Sequence, residues 1–223
     1  MSNIETVKCV LLGESSVGKT SIINQFTENM FDADVVSNST AQFVTKIVEY
    51  DEFKKALKFE IWDTAGQERF RSLAKIFYKD AKVVILVYDI TNIESFNQLK
   101  EYWYDQVRTN GDKDAIISIV ANKNDLYNEQ QVKNEEGEKF AAEIKGIFQS
   151  TSAKSDIGIT TLFDNIGKKY FNPDYDCGAV EKKLQEEYQQ KKSEEKQRKI
   201  EKEPKGVRLS IKNSKKKKKK KFC

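Results

Sequence analysis

Eight consecutive residues constrain this chain more than any others. Gly13, Glu14, Ser15, Ser16, Val17, Gly18, Lys19 and Thr20 spell G-x-x-x-x-G-K-[ST], after an apolar run at 7–12 and before a helical pattern at 21–28. A strand before this motif and a helix after it are the context that marks a phosphate-binding loop. The glycines let backbone N–H groups converge on phosphate oxygens, and the N-terminus of the following helix favours negative charge. Lys19 is placed to reach β- and γ-phosphates, and the Thr20 hydroxyl to ligate Mg²⁺. Gly13, Ser15, Ser16, Val17, Gly18, Lys19 and Thr20, with Ser21 opening the helix, are therefore the candidate phosphate cradle.

The rest of the first 171 residues alternates in the same way. Residues 7–12, 83–89 and 116–122 are nearly all apolar, the pattern of parallel strands buried on both faces. Residues 43–50 and 58–63 read as a hairpin around a polar turn at 51–55, and helical patterns lie at 95–108, 134–144 and 160–170. The alternation predicts an α/β sheet with ligands at the carboxyl ends of the strands.

After Asn172 and Pro173 the character changes. Residues 181–203 are rich in Glu, Lys and Gln with few apolar residues, too few to bury a core of their own. Pro204 and Gly206 follow, then an unbroken lysine run at 215–221, Phe222 and Cys223. The expected organisation is a domain over 1–172 and a disordered tail over 173–223. Residues 174–223 hold 18 Lys/Arg against 9 Asp/Glu, which leaves 21 against 26 for the rest. A mildly acidic body thus carries a basic tail, hidden in the net +4. No apolar run approaches the ~20 residues of a membrane span, and the first residues lack the apolar stretch of a signal peptide. Cys9, Cys177 and Cys223 are odd in number and far apart, which fits a reducing, cytosolic compartment better than a disulfide framework. With no histidine in the chain, chemistry that uses imidazole is excluded.

Three further segments complete a nucleotide site. Asp63, Thr64, Ala65, Gly66, Gln67 and Glu68 leave an apolar strand that ends at Trp62. An Asp there can hold Mg²⁺, Gly66 can offer its N–H to the terminal phosphate, and Gln67 can orient an attacking water. Asn122, Lys123, Asn124 and Asp125 close another buried strand. The Asp125 carboxylate can accept from both guanine N1–H and the 2-amino group. Adenine offers neither donor, and sites built on such bonds discriminate by about 10⁴–10⁵. The Lys123 stem can lie along the base, and Asn122 can tie this loop to the phosphate loop. Ser152, Ala153 and Lys154 follow the next strand, where the Ala153 N–H can reach guanine O6, and Phe31 stands where an aromatic can lean on the base or simply pack at a helix end.

These motifs in this order resemble the small Ras-like GTPases, over about residues 5–171, and their Rab branch in particular. The Rab-type marks are Lys58 to Trp62, Glu68 to Leu73, Phe77 to Ala81 and Leu86 to Thr91. The resemblance implies a P-loop GTPase fold, an α/β architecture with a mostly parallel six-stranded sheet, one antiparallel hairpin strand and helices on both faces, and a GTP/GDP switch that regulates vesicle traffic. Unassisted hydrolysis through Gln67 would be slow, on the order of 10⁻⁴ to 10⁻³ s⁻¹, and an activating protein would accelerate it. It implies an effector surface at Phe43, Trp62 and Phe77, aromatics that read from the residues alone also suit plain core positions. One departure stands out. Keeping Phe43 in the strand register puts Asn38 where the family carries the first-switch Thr that ligates Mg²⁺, whereas an insertion before Thr40 would make Thr40 the ligand. An Asn there also allows a second reading, a GTP-loaded scaffolding module that hydrolyses poorly. The implied partners are an exchange factor, an activating protein, effectors and an escort and prenylation machinery acting on a monomer. Cys223 is the candidate lipid acceptor, although it is neither the paired cysteines usual in Rab proteins nor a C-a-a-X box. With the lysine run it implies a cytoplasmic protein held peripherally on the cytosolic face of an endomembrane or the plasma membrane. The run lacks interleaved aromatics or Arg, so nucleic acid is not the expected partner.

Overall fold

The runs at Val83–Asp89 and Ile116–Asn122 become strands because almost nothing polar interrupts them on either face. In the computed structural model all seven residues of the first and the last five of the second are buried. The structure describes residues 3–32, 42–63 and 77–179. In chain order it comprises β1 (Asn3–Leu12), α1 (Lys19–Glu28), β2 (Gln42–Tyr50), β3 (Lys55–Asp63) and β4 (Val83–Asp89). A helical stretch follows in three parts: α2 (Ile93–Gln98), a π-helical segment at Leu99–Tyr104, and α3 (Asp105–Asn110). Then come β5 (Ile116–Asn122), α4 (Asn134–Glu143), β6 (Ile147–Ser150) and α5 (Ile159–Phe171).

The six strands lie in the order β2-β3-β1-β4-β5-β6. Among the described strands only β2 and β3 are antiparallel; the other pairs are parallel, as the alternation predicts. Two strands start earlier than their apolar runs suggest. β1 begins at Asn3 and β3 at Lys55, and Asn3 pairs with Lys55 in parallel register. Polar side chains hide these first residues in the sequence, yet the ladder and an ion pair between Glu5 and Lys55 (2.8 Å) hold them. The turn between β2 and β3 is a short 3-10 helix at Asp51–Phe53 closed by Lys54 in the left-handed region.

Helices cover both faces of the sheet. On one, Val10, Leu12, Val84, Leu86 and Tyr88 pack with Phe96, Leu99, Trp103, Val107 and Ala141 from α2, the π-helical segment, α3 and α4. On the other, Phe26 of α1 stacks on Phe163 of α5 with ring centroids 3.5 Å apart, and Phe59 of β3 meets both rings edge-on. The Tyr50 hydroxyl donates to the Phe163 carbonyl at 2.9 Å, which fastens the end of β2 to α5. A Cβ on Gly167 would lie 1.9 Å from that hydroxyl oxygen, so the helix can approach only with glycine there. The chain divides after Tyr175, and of the second unit only residues 176–179 are described. The tail expected beyond that point lies outside the described residues. Among the described residues no helix is long and apolar enough to cross a membrane.

Candidate functional site

The carboxyl ends of β1, β3, β4, β5 and β6 carry the candidate site. β1 runs directly into the phosphate-loop motif, and its first glycine cannot be replaced. Gly13 has φ +146°, and a Cβ there would lie 2.2 Å from the Val87 carbonyl oxygen. Gly18, at φ +96°, passes so close to Asn122 that a Cβ would sit 2.3 Å from its Nδ2. Lys19 opens α1, is buried, and curls back over the loop to donate to the Gly13 (3.0 Å) and Glu14 (2.8 Å) carbonyls. Burial pushes its ammonium down to about 8, against the pull of Asp63 and Glu14. Ser15 and Ser16 are exposed, Val17 is buried, and Ser21 lies partly exposed in the first turn of α1. The Thr20 hydroxyl donates to Asp63 Oδ2 at 2.6 Å, so the two expected metal ligands meet across 43 residues. The loop is also held from the helical side: Trp103 Nε1 donates to Glu14 Oε1 at 2.9 Å.

The segment after β5 is fastened to this loop. Asn122 Nδ2 donates to the Val17 carbonyl at 2.8 Å, the tie that the sequence suggests, and Asn122 Oδ1 accepts from the Thr151 hydroxyl at 3.1 Å. Lys123 adopts φ +66°, and its ammonium lies 2.6 Å from Asp89 Oδ2. The other Asp89 oxygen accepts from both the N–H and the hydroxyl of Thr91, each at 2.8 Å. Asp125 Oδ1 accepts from the Ser152 hydroxyl at 2.6 Å, and the Ser155 N–H donates to that same hydroxyl oxygen. Ala153 is buried and Lys154 exposed. Phe31 stands beyond the end of α1 with 39% of its surface exposed.

Beside Asp63, on the β2–β3 side, the three aromatics of the expected effector surface form one row. Phe43 pairs with Trp62 across the hairpin, their rings 5.0 Å apart, and Trp62 lies 6.3 Å from Phe77. Phe43 is half-exposed, while Trp62 and Phe77 are partly buried against the core. Asn38, Thr40, Gly66, Gln67 and Cys223 lie outside the described residues. Three residues of the site escape a reading of the sequence: Asp89, Thr151 and Trp103. Asp89 did carry a signal, since like Asp63 and Asn122 it is the polar last residue of an apolar strand. Thr151 and Trp103 carry none, because their partners lie 29 and 89 residues away.

Comparison with known proteins agrees with this arrangement. The Ras family profile matches residues 8–172. The chain is 40% identical over 166 residues to Ras-related protein Rab-22A of Homo sapiens, an alignment that covers 74% of this chain and 84% of that protein. The Mus musculus protein of the same name is equally similar over the same length. This chain therefore belongs to the Ras family of small GTPases as a Rab-type member, a GTP-hydrolysing regulator of membrane traffic.

Proposed function

We propose that the edge formed by Gly13 to Ser21, Asp63, Asn122 to Asp125 and Ser152 to Lys154 binds GTP and GDP, and that Gln67 orients the water that cleaves GTP. The observation that carries this reading is the bond from Asn122 to the Val17 carbonyl, which joins the base segment to the phosphate segment at 2.8 Å. Backbone N–H groups of the loop and the Lys19 ammonium take the phosphates, Asp125 takes the guanine edge, and Ala153 and Phe31 complete the base pocket. Ser152 keeps the Asp125 carboxylate turned for that task. The donors near Lys19 fit the Mg²⁺ that the family binds: a hydroxyl and a carboxylate oxygen are the hard ligands this ion accepts beside phosphate oxygens. Thr20 and Asp63 would hold it, with Asn38 or Thr40 from the first switch, and when bound it would supply positive charge that offsets the phosphates.

Residues 1–172 act as the switch and 173–223 as its membrane tether. The γ-phosphate orders the segments around Asn38 and Gly66, and effectors read them beside Phe43, Trp62 and Phe77. A prenyl group on Cys223 and the lysines at 215–221 together hold the chain on the cytosolic face of an endomembrane or the plasma membrane, since stable anchoring takes two such signals. An exchange factor, an activating protein and an escort for prenylation follow as partners.

Single-turnover hydrolysis tests the reading. The full chain loaded with GTP is expected to turn over slowly, and a Rab-type activating protein should accelerate it by about 10³–10⁵. Gln67→Leu should abolish that acceleration. A wild-type chain that shows no acceleration, or that binds ATP as tightly as GTP, sinks it.

A further inference from the structure

We propose that Trp103 is a positioning residue of the phosphate loop: it grips Glu14 and so holds in place the carbonyl that keeps Lys19 over the loop. The proposal rests on reading Gly13 to Thr20 as the phosphate site. Its starting point is the π-helical segment at Leu99–Tyr104, a backbone form that is rare and concentrates at functional sites. The Trp103 indole is only 3% exposed, packed in the core with Leu99 and flanked edge-on by Tyr102 at 5.1 Å. A buried indole N–H needs an acceptor. It finds one in Glu14 Oε1, 2.9 Å away and 89 residues earlier in the chain.

Glu14 is held from two directions. Its carboxylate accepts from Trp103, and its backbone carbonyl accepts from Lys19 at 2.8 Å. The indole thus fixes the residue against which the buried lysine is braced. A neutral donor suits the position. An Arg or Lys at 103 would hold the carboxylate too, but would add a second cation beside Lys19 and compete with it for the same residue. Tryptophan fixes Glu14 without adding a charge, and its rigid ring, wedged into the core, carries that fixity from the helix to the loop.

The test uses the full chain with Mg²⁺ and measures release of a fluorescent GDP. Trp103→Phe keeps an aromatic ring in the core and removes the N–H; it should speed release about tenfold, the effect of one hydrogen bond to a charged acceptor. Glu14→Ala should do the same, Glu14→Gln should release more slowly than Glu14→Ala because it keeps an oxygen for the indole, and the double variant Trp103→Phe/Glu14→Ala should be no faster than either single one. A spectroscopic reading follows from composition. The chain has two tryptophans, so in a Trp62→Phe background Trp103 is the sole emitter, and adding Glu14→Ala should shift its emission. Should Trp103→Phe not fold, Glu14→Ala and the emission shift decide alone. Release at the wild-type rate from Glu14→Ala, or single effects that multiply in the double variant, overturns the proposal. A wild-type chain that holds no GDP overturns the phosphate site and this inference together. A chain that holds GDP while the variants match it overturns this inference only.

Discussion

Asp63, Asp89 and Asn122 are each almost fully buried, and each is the last residue of its strand. A charge removed from water must find a partner. Asp63 finds the Thr20 hydroxyl and Asp89 finds Lys123, so the same rule that pairs them also aims Thr20 and Lys123 along the site edge. Asp89→Asn keeps the Thr91 bonds but removes the charge that holds Lys123, and GDP release should quicken about three- to tenfold in a stopped-flow measurement. On the proposed reading Asp125→Ala removes two charge-assisted bonds to guanine, each worth about 1.5–3 kcal/mol. GTP affinity by calorimetric titration should fall by ~10²–10⁴, with no gain for ATP. Cys9 stands on the other side of this logic. Burial raises its thiol far above the ordinary range, so alkylation followed by mass mapping of the native chain should leave it untouched. What was legible at this scale follows from locality. Gly13 to Thr20 and Asn122 to Asp125 are short segments whose chemistry is written in consecutive residues. Trp103 and Thr151 owe their roles to partners brought near by folding, and no window of the sequence holds both halves of such a pair.

The elements were legible where burial is two-sided and blurred where it is not. Val83–Asp89 and Ile116–Asn122 match their apolar runs residue for residue, since a strand covered on both faces admits little polar interruption. β1 and β3 were read short at their N-terminal ends. In β1, Asn3, Ile4 and Thr6 are exposed and Glu5 is half-buried, so the apolar pattern fades before the hydrogen-bonded ladder does; in β3 the missed residues Ala56 and Leu57 are buried, but they follow the polar turn at 51–55 too closely to read as strand. The helical reading of 95–108 caught the place but not the form. Nothing in its spacing distinguishes a π-helical segment from the helix on either side, and Asn92, whose side chain accepts from the Glu94 and Ser95 N–H groups, starts it earlier. The most demanding joint between elements is β2 against α5. Gly167→Ala would drive a methyl group into the Tyr50 hydroxyl and break its bond to Phe163. A loss of about 2–4 kcal/mol is expected from overpacking and the broken bond together. Thermal unfolding should show a drop of several degrees, and Tyr50→Phe should not rescue it, because the ring carbon Cζ itself would lie 2.0 Å from the added methyl group.

Across the whole chain, charge is divided by position: residues 174–223 carry an excess of nine positive charges and the remainder an excess of five negative ones. On the proposed reading, attraction to anionic lipid, nominally about 1 kcal/mol per lysine near the surface, belongs to the lysine-rich end of the chain. The full chain should co-sediment with phosphatidylserine vesicles at low salt and release as salt shortens the screening length, while a chain ending at 204 should remain in the supernatant. The bond between Asn122 and Val17 has a consequence on another clock. A ribosome adding roughly 5–20 residues per second needs on the order of 5–20 s to pass from the phosphate loop to the segment that fastens it, 105 residues later. During that interval the nascent chain displays half a binding site. On the proposed reading, guanine nucleotide acts only once that fastening segment and Ser152 to Lys154 have emerged, and it then serves as the last ligand of folding and not as its guide.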